Sequence, residues 1–349
     1  SAMARASSSP VKTFSVSFSE GSSEAPIARL VADKFSTDHV EIEAGEITSD
    51  QLLETLGRMD EPLSDPALVP TRLISQIARK HVKVVLSGEG GDEIFGGYPR
   101  FLAGESSISP GPTKLARSLK ALIDASPWRI PGAGRIYSNL CNARELIELE
   151  RARFGAAPGP GHGLARLLTL SPELYRPGRY LDDFRSKMAC YSDQYDSEAL
   201  MRVDLLTKLA ENHLLKSDRA SMMESLELRV PFLDELVINE VVPRPVSSKI
   251  VDGQLKAVLV ALCREQLPRE VWDRPKHGFN VPMARYMAVE WKSAVEELLR
   301  YGEQELPIFK YGFLRAAQRE NERTMQVART LWSPLMLIAW LRAHPAATI

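Results

Sequence analysis

The 349-residue sequence has few cysteines, almost no net charge and no long apolar runs. Its three cysteines are widely spaced, so they form neither a disulfide framework nor a zinc-ligand pattern, and they favour a reducing, cytoplasmic setting. Lys and Arg total 44 against 45 for Asp and Glu, a balance that predicts neither a nucleic-acid surface nor a basic membrane helix.

The longest apolar segment, residues 331–341, is too short to span a bilayer. Ser333 and Pro334 interrupt it. We therefore expect a buried helix that begins there, with Ser333 as its N-cap and Pro334 in its first turn.

Strand and helix patterns alternate over the amino-terminal third of the chain. Alternating apolar residues predict strands at 12–18 and around Val40 and Ile42, whereas helical spacing predicts helices over 27–35 and 67–80. The apolar run at 83–86 is typical of a strand buried on both faces of a parallel sheet. This order predicts a doubly wound α/β layer.

Beyond about residue 100 the patterns become mainly helical, with loops rich in glycine and proline. We divide the chain into a nucleotide-binding α/β region at 4–105 and a helical remainder at 106–349. The two regions also fit one continuous domain.

The most informative segment is the turn that follows the third predicted strand. Residues 87–98 read SGEGGDEIFGGY, with three glycines within four positions and three carboxylates among them. Such turns are common without any chemistry, and acids in a first helical turn favour the helix dipole. Three acids crowded at the carboxyl end of a parallel strand nevertheless favour a ligand site, because ligands bind at that edge of the sheet.

Three blocks of sequence, taken together and in order, carry a family resemblance. The first is the turn at 87–98, the second runs from LKSDRASM at 215–222 to LELRVPFLD at 226–234, and the third is RPKHGFNVP at 274–282. They resemble the synthetase domain of glutamine-dependent asparagine synthetases, over about residues 12–105 and 195–285. The resemblance implies an adenine-nucleotide α-hydrolase-like (PP-loop) parallel sheet with a large helical carboxyl-terminal region.

In that family, ATP with Mg²⁺ activates a carboxylate as an acyl-adenylate, and ammonia from glutamine then displaces AMP. The resemblance implies aspartate as the leading candidate for that carboxylate. The resemblance places Glu89 beside the acceptor carboxylate or the incoming ammonia, and it makes Asp92 a Mg²⁺ ligand. Positive charge is needed where pyrophosphate leaves, and Lys276 and Lys256 are the candidates. The resemblance further implies a set of nucleotide contacts, made mostly through backbone: Val16, Ser87 and Gly88.

Each assignment has a structural alternative. Lys256 and Lys276 could also be solvated surface lysines. The Ser87 hydroxyl could simply close the turn without contacting a nucleotide. Arg274 either assists the lysines or pairs with an acid. We interpret Arg219 and Arg229 as members of structural ion pairs. His213 and His277 draw attention as possible bases, and we interpret them as packing or hydrogen-bonding residues.

Two parts of the family pattern are absent from the printed residues: the amino-terminal cysteine of a glutaminase domain, normally on the same chain, and the loop Ser-Gly-Gly-x-Asp-Ser. In the family, the strand preceding that loop lies between those matching 13–18 and 83–86. Without it, two strand edges would face a gap. We expect another chain, a rearrangement or direct pairing of the two strands to close it. We also expect little synthetase activity from this chain alone.

Two rival functions remain open at this point. Relatives with the same core amidate or cyclise other carboxylates, and the acceptor pocket falls in the weakly matched middle of the chain. Alternatively, the chain is a non-catalytic subunit whose partner supplies the missing loop. A homodimer is compatible with either reading.

Overall fold

The computed structural model describes residues 7–18, 24–102, 197–273, 283–306, 314–315, 318 and 328–347. The first sheet joins β1 (Lys12–Phe18) to β2 (Asp38–Ala44) in parallel, with Val16 opposite Ile42. Helix α1 (Ala25–Phe35) connects them. These elements confirm the strand–helix–strand pattern predicted from the sequence.

A second pair of parallel strands leads to residues 87–98, which we call the acidic turn. β3 (Val84–Leu86) pairs with β4 (Glu227–Arg229), and α2 (Ser49–Gly57) and α3 (Leu68–Ala78) precede β3. The prediction that β3 is buried on both faces is wrong, because Val84 and Leu86 are 40% and 48% exposed. In the part of the chain that the structure describes, β3 has one paired neighbour, so its outward side chains lack cover.

The strand pairing in the described residues tests one of the expected ways of closing the gap in the sheet. β1 and β3 belong to different two-stranded sheets, so direct pairing between them, one of the three expected solutions, does not occur. Parallel pairing with β2 and with β4 satisfies one backbone edge of each strand.

The remaining described elements are mostly helical. Helix α4 (Gly91–Phe95) lies within the acidic turn, and a 3₁₀ turn follows at Pro99–Phe101. After β4 come a 3₁₀ turn at Pro231–Leu233 and these helices: α7 (Glu235–Val241), α8 (Val246–Lys249), α9 (Ala257–Gln266), α10 (Arg269–Trp272), α11 (Met283–Ala288), α12 (Lys292–Glu305) and α13 (Ala328–Ala343). Among the described residues, no helix combines the length and apolar character needed to cross a membrane.

One long helical rod leads into β4. It consists of α5 (Ser197–Asp204), a π-helical segment (Leu205–Leu214) and α6 (Leu215–Met222), joined without a break in right-handed helical geometry. A π-helical segment shifts the register of side chains that follow it, and such segments frequently occur at functional sites.

Helix α13 corrects the prediction for residues 331–341. It begins at Ala328, so Ser333 and Pro334 lie inside it rather than at its start. Buried Leu331, Trp332 and Leu335 lie on either side of the proline. Because tertiary packing of an apolar face supplies most helical stability, the helix continues through Pro334 despite the missing N–H donor.

Helices from both ends of the chain share the main core. Apolar side chains of α2, α3, α12 and α13 form one buried cluster that includes Leu56 and Leu299. Three indole N–H groups donate to backbone carbonyls near α2: Trp291 to Ile47 at 2.7 Å, Trp332 to Ser64 at 2.7 Å and Trp340 to Met59 at 3.0 Å. Each bond satisfies a carbonyl of an irregular segment.

A buried arginine joins α3 to the end of the helical rod. Arg72 is 6% exposed, and its Nε donates to Glu224 Oε1 at 2.7 Å. Its other guanidinium nitrogens donate to Thr55 Oγ1 at 3.0 Å and to Glu54. All three guanidinium nitrogens therefore have partners, which a buried guanidinium requires.

We expect Arg72→Met to lower the free energy of unfolding by about 3 kcal/mol, because it leaves the largely buried carboxylate of Glu224 with only the longer contact to Arg58 at 3.4 Å. The matched control is Arg229→Met, which removes the exposed pair with Glu227 and should cost less than about 1 kcal/mol. Urea unfolding measures both variants, and equal losses would contradict the prediction.

Candidate functional site

The acidic turn lies at the carboxyl end of β3 and is anchored to β4. The Ser87 N–H donates to the Arg229 carbonyl at 2.9 Å, and the Ser87 hydroxyl accepts from the Glu89 N–H at 3.3 Å. Gly90 then adopts a positive φ of 85°, and a Cβ there would lie 2.6 Å from Leu233 Cγ. Only glycine satisfies both the conformation and the space.

Glu89 is held by the amino-terminal end of α6. Its Oε1 accepts from Ser217 Oγ at 2.8 Å and from Lys216 Nζ at 3.2 Å. The Lys216 side chain is only 10% exposed, so this ammonium group lies in a largely desolvated place. One oxygen of Glu89 is therefore fixed by a hydroxyl and a cation, and the carboxylate has a defined orientation.

Asp92 is held by a lysine that precedes α9. Lys256 Nζ lies 2.7 Å from Asp92 Oδ1, and the Lys256 N–H donates to the Gly96 carbonyl at 3.3 Å. The Gly97 N–H donates to the Asp92 carbonyl at 2.8 Å. A Cβ on Gly97 would overlap both Asp92 Oδ1 and Lys256 Cε. The absent side chain at Gly97 therefore makes room for the ion pair.

Glu93 is a buried carboxylate behind the other two. It is 1% exposed, and its Oε1 accepts from the Tyr98 hydroxyl at 2.6 Å and lies 3.4 Å from His213 Nδ1. Burial acts to raise the pKa of Glu93. The hydrogen bonds with His213 and Tyr98 outweigh burial and lower this pKa from 4.5 to about 2. Glu93 is therefore an anion at neutral pH.

The π-helical segment supplies two of the groups around Glu93. Lys208 Nζ lies 3.6 Å from the centre of the Tyr98 ring, a cation–π contact, and His213 faces Glu93 directly. These residues are five apart, the hydrogen-bonding spacing of a π-helix. His213, Lys216 and Ser217 are then spaced as i, i+3 and i+4, which puts them on one face of the rod.

The structure brings together Glu89, Asp92 and Lys256 of the predicted site residues. Ser87 and Gly88 lie in the same turn, and the Ser87 hydroxyl closes that turn, as its structural alternative had it. Val16 lies in β1, in the other sheet. The third sequence block, with Arg274, Lys276 and His277, lies outside the described residues.

Sequence reasoning treated several neighbouring residues as structural. Arg219 pairs with Asp60 at 3.0 Å and Arg229 with Glu227 at 2.7 Å, which confirms structural ion pairs for both. Lys216 and Ser217, by contrast, lie within the second sequence block, and the resemblance predicts no role for either residue. Their spacing from His213 was the available signal, although it does not identify a partner 127 residues away.

The described residues are compatible with a magnesium site that has a single protein carboxylate as ligand. They contain no cluster of three His, Cys, Asp or Glu side chains arranged to hold a metal. Mg²⁺ usually takes one or two protein carboxylates and completes its shell with phosphate oxygens and water. Asp92, with a side chain 26% exposed, suits such a single-carboxylate site, whereas buried Glu93 does not.

The chain matches the asparagine synthase family over residues 1–342, and it therefore belongs to that family. The match confirms the resemblance carried by the three motifs and extends beyond the ranges 12–105 and 195–285. The curated relatives that it matches are about twice as long as the chain. It covers 50–52% of the relatives from Mycobacterium tuberculosis and Bacillus subtilis.

Individual relatives agree with the family. A Mycobacterium tuberculosis protein, provisionally named as a glutamine-hydrolysing asparagine synthetase, is 32% identical over 94% of this chain. The glutamine-hydrolysing asparagine synthetase 1 of Bacillus subtilis is 28% identical over 95% of the chain. A provisionally named asparagine synthetase of Methanocaldococcus jannaschii is 31% identical over 64% of the chain and 42% of its own length.

The lowered pKa of Glu93 predicts a loss of stability in acid. Because its folded-state pKa lies below the unfolded value, Glu93 stabilises the fold fully above about pH 4.5. It loses that contribution as the pH falls towards 2. The loss amounts to about 3 kcal/mol for this group. Glu93→Gln should flatten the pH dependence of the unfolding free energy over this range, with Tyr98→Phe between it and wild type. A Glu93→Gln variant as acid-sensitive as wild type would contradict the assignment.

Gly97→Ala tests the space around the Asp92–Lys256 pair. We expect it to lower the free energy of unfolding by about 1–3 kcal/mol, because the added methyl group displaces both side chains. Gly45→Ala is the control, since a Cβ at Gly45 meets no atom within 4 Å. Chemical denaturation of the two variants should separate them, and similar stabilities would show that the pair yields without cost.

Proposed function

We propose that this chain is the synthetase part of an ATP-dependent amidotransferase with a PP-loop-type nucleotide site. It adenylates a carboxylate, with aspartate as the leading candidate, and forms an amide with ammonia derived from glutamine. The proposal rests mainly on one observation: the turn after β3 presents Glu89 and Asp92, and each is paired with a lysine from the distant helical region. The family membership supports the reaction class. A cytoplasmic location and a homodimer are compatible with it.

Asp92 and Lys256 suit the polyphosphate side of such a site. Asp92 would hold the Mg²⁺ that accompanies ATP, and the ion would supply charge neutralisation at the phosphates. Lys256 offers a point charge for phosphate oxygens. Its backbone has a φ of 53°, a left-handed conformation that is uncommon outside glycine and that clusters at ligand sites. Lys276 remains the second proposed cation.

Glu89 suits the acceptor side. When ammonia attacks the activated carboxyl carbon, the new C–N bond forms as AMP leaves, and the nitrogen must lose a proton. A carboxylate held in a fixed orientation is suited to accept that proton. Ser217 and Lys216 contribute to that orientation, because both donate to Oε1, and Oε2 accepts from neither of them.

A second candidate, a partner-dependent subunit, is favoured by the exposed side chains of β3. Val84 and Leu86 lie on a strand with one paired neighbour in the described part of the chain. A strand from a partner or from the rest of a longer protein would cover them. Native mass spectrometry tests this candidate, which requires a complex with a second copy or another chain.

The proposed activity is tested with ATP, Mg²⁺, aspartate and ammonium, with pyrophosphate and asparagine as the measured products. We expect little or no turnover from the 349-residue chain alone. We expect turnover once the chain is extended at its amino end to include a Ser-Gly-Gly-x-Asp-Ser loop. Robust turnover by the isolated chain would contradict the expected inactivity.

In the extended protein, Glu89→Gln should lower the rate of asparagine formation about 100-fold or more, because the variant cannot accept the proton. The control is Glu227→Gln, an exposed carboxylate on β4. Equal rates for wild type and the Glu89→Gln variant would overturn the role of Glu89. Failure of aspartate, with turnover of another carboxylic acid, would change the acceptor but leave the reaction class intact.

A further inference from the structure

His213 occupies a place between two carboxylates. Its Nδ1 lies 3.4 Å from Oε1 of buried Glu93 and 4.0 Å from Oε2 of Glu89. The His213 side chain is itself 19% exposed, so it lies at the boundary between the buried cluster and the open side of the turn.

The imidazole is anchored from behind. Glu93 carries a negative charge with almost no solvent exposure, and a buried anion needs donors around it. The Tyr98 hydroxyl supplies one at 2.6 Å, with Lys208 stacked on the same tyrosine ring at 3.6 Å. Nδ1 of His213 also faces Glu93, at 3.4 Å, so the geometry assigns the imidazole N–H to Nδ1, and this contact orients the ring.

The two oxygens of Glu89 have different surroundings. Oε1 accepts from Ser217 and Lys216, whereas Oε2 faces the Nδ1 edge of His213. Two carboxylates that approach the same nitrogen repel each other unless an N–H or a positive charge lies between them. The imidazole lies beside both carboxylates, with Nδ1 at 3.4 Å from Glu93 Oε1 and at 4.0 Å from Glu89 Oε2, and the second distance is longer than a hydrogen bond.

We propose that His213 is a positioning residue for Glu89: buried Glu93 orients the imidazole, and the imidazole, 4.0 Å from Oε2, limits where the Glu89 carboxylate can lie. The chain of contacts runs from Lys208 and Tyr98 through Glu93 to His213 and Glu89. The effect of these contacts on catalysis rests on the proposed function, in which Glu89 accepts a proton. The positioning of the Glu89 carboxylate by His213 does not depend on that function.

The test uses the 349-residue chain without nucleotide, labelled with ¹³C at the glutamate carboxyl carbon. The NMR signal of Glu89 is assigned by its loss in Glu89→Gln. We expect His213→Leu to shift this signal, as Ser217→Ala should. His213→Asn retains an N–H near the Nδ1 position, and we expect it to restore the signal toward wild type. His344→Asn, just after the end of α13, is the control and should leave the signal unchanged.

A double-mutant cycle distinguishes two roles of His213: positioning the Glu89 carboxylate, and only serving as a hydrogen-bond partner of Glu93. Glu93→Gln should shift the Glu89 signal when His213 is present and should have no additional effect in the His213→Leu background. An unchanged Glu89 signal in the His213→Leu variant, with a shift confined to Glu93, would overturn the proposal. Should His213→Leu not fold, the single variants His213→Asn and Glu93→Gln decide: the proposal requires Glu93→Gln to shift the Glu89 signal.

The kinetic consequence is measured in the extended protein. We expect His213→Leu to lower kcat for asparagine formation about 10- to 100-fold, because a misplaced catalytic group loses its approach geometry, with little change in KM for ATP. His213→Asn should recover part of the loss. A response of the Glu89 signal without any kinetic effect would refute the proposed role of Glu89 but retain the positioning. An unshifted signal would refute the positioning alone.

Discussion

The structure depends on pairing the carboxylates of one turn with two lysines and a histidine from the far half of the sequence. Glu89, Asp92 and Glu93 lie within five residues of one another, and without partners their mutual repulsion would oppose the turn. Lys216 and His213 come from the helical rod, and Lys256 precedes α9. The same contacts that stabilise the turn thereby dock the helical region against β3, so one arrangement serves both the fold and the candidate site.

Glycine and the π-helical segment make this pairing geometrically feasible. Gly90 reverses the chain against Leu233, and Gly97 leaves the space in which Asp92 meets Lys256. The π-helical segment changes the side-chain register ahead of α6, so that Lys208 approaches Tyr98 while His213 approaches Glu93. Each of these features costs local stability or is rare, and each lies where a carboxylate meets its partner.

Local patterns predicted the local structure and the acidic turn. The strand at 12–18 and the helices near 27–35 and 67–80 follow from periodicity, and three carboxylates among glycines indicated a ligand site. Contacts between segments that are distant in sequence could not be predicted from local patterns. The exposure of Leu86 depends on which strands flank β3, and the three-residue β4 is too short for a periodic signal. Helix α13 continues through Pro334 because the packing of its apolar side chains outweighs the helix-start signal at Ser333 and Pro334. No local sequence pattern links Lys216 to Glu89, 127 residues away.

The central claim is that the turn after β3 and lysines from distant segments form one polyphosphate-binding site. An experimental structure of the chain with pyrophosphate and Mg²⁺ tests it most directly. The account predicts the anion beside Lys256 and Lys276, with the metal bound to Asp92. Lys276 on the opposite side of the molecule from Asp92, or pyrophosphate bound away from the turn, would contradict it.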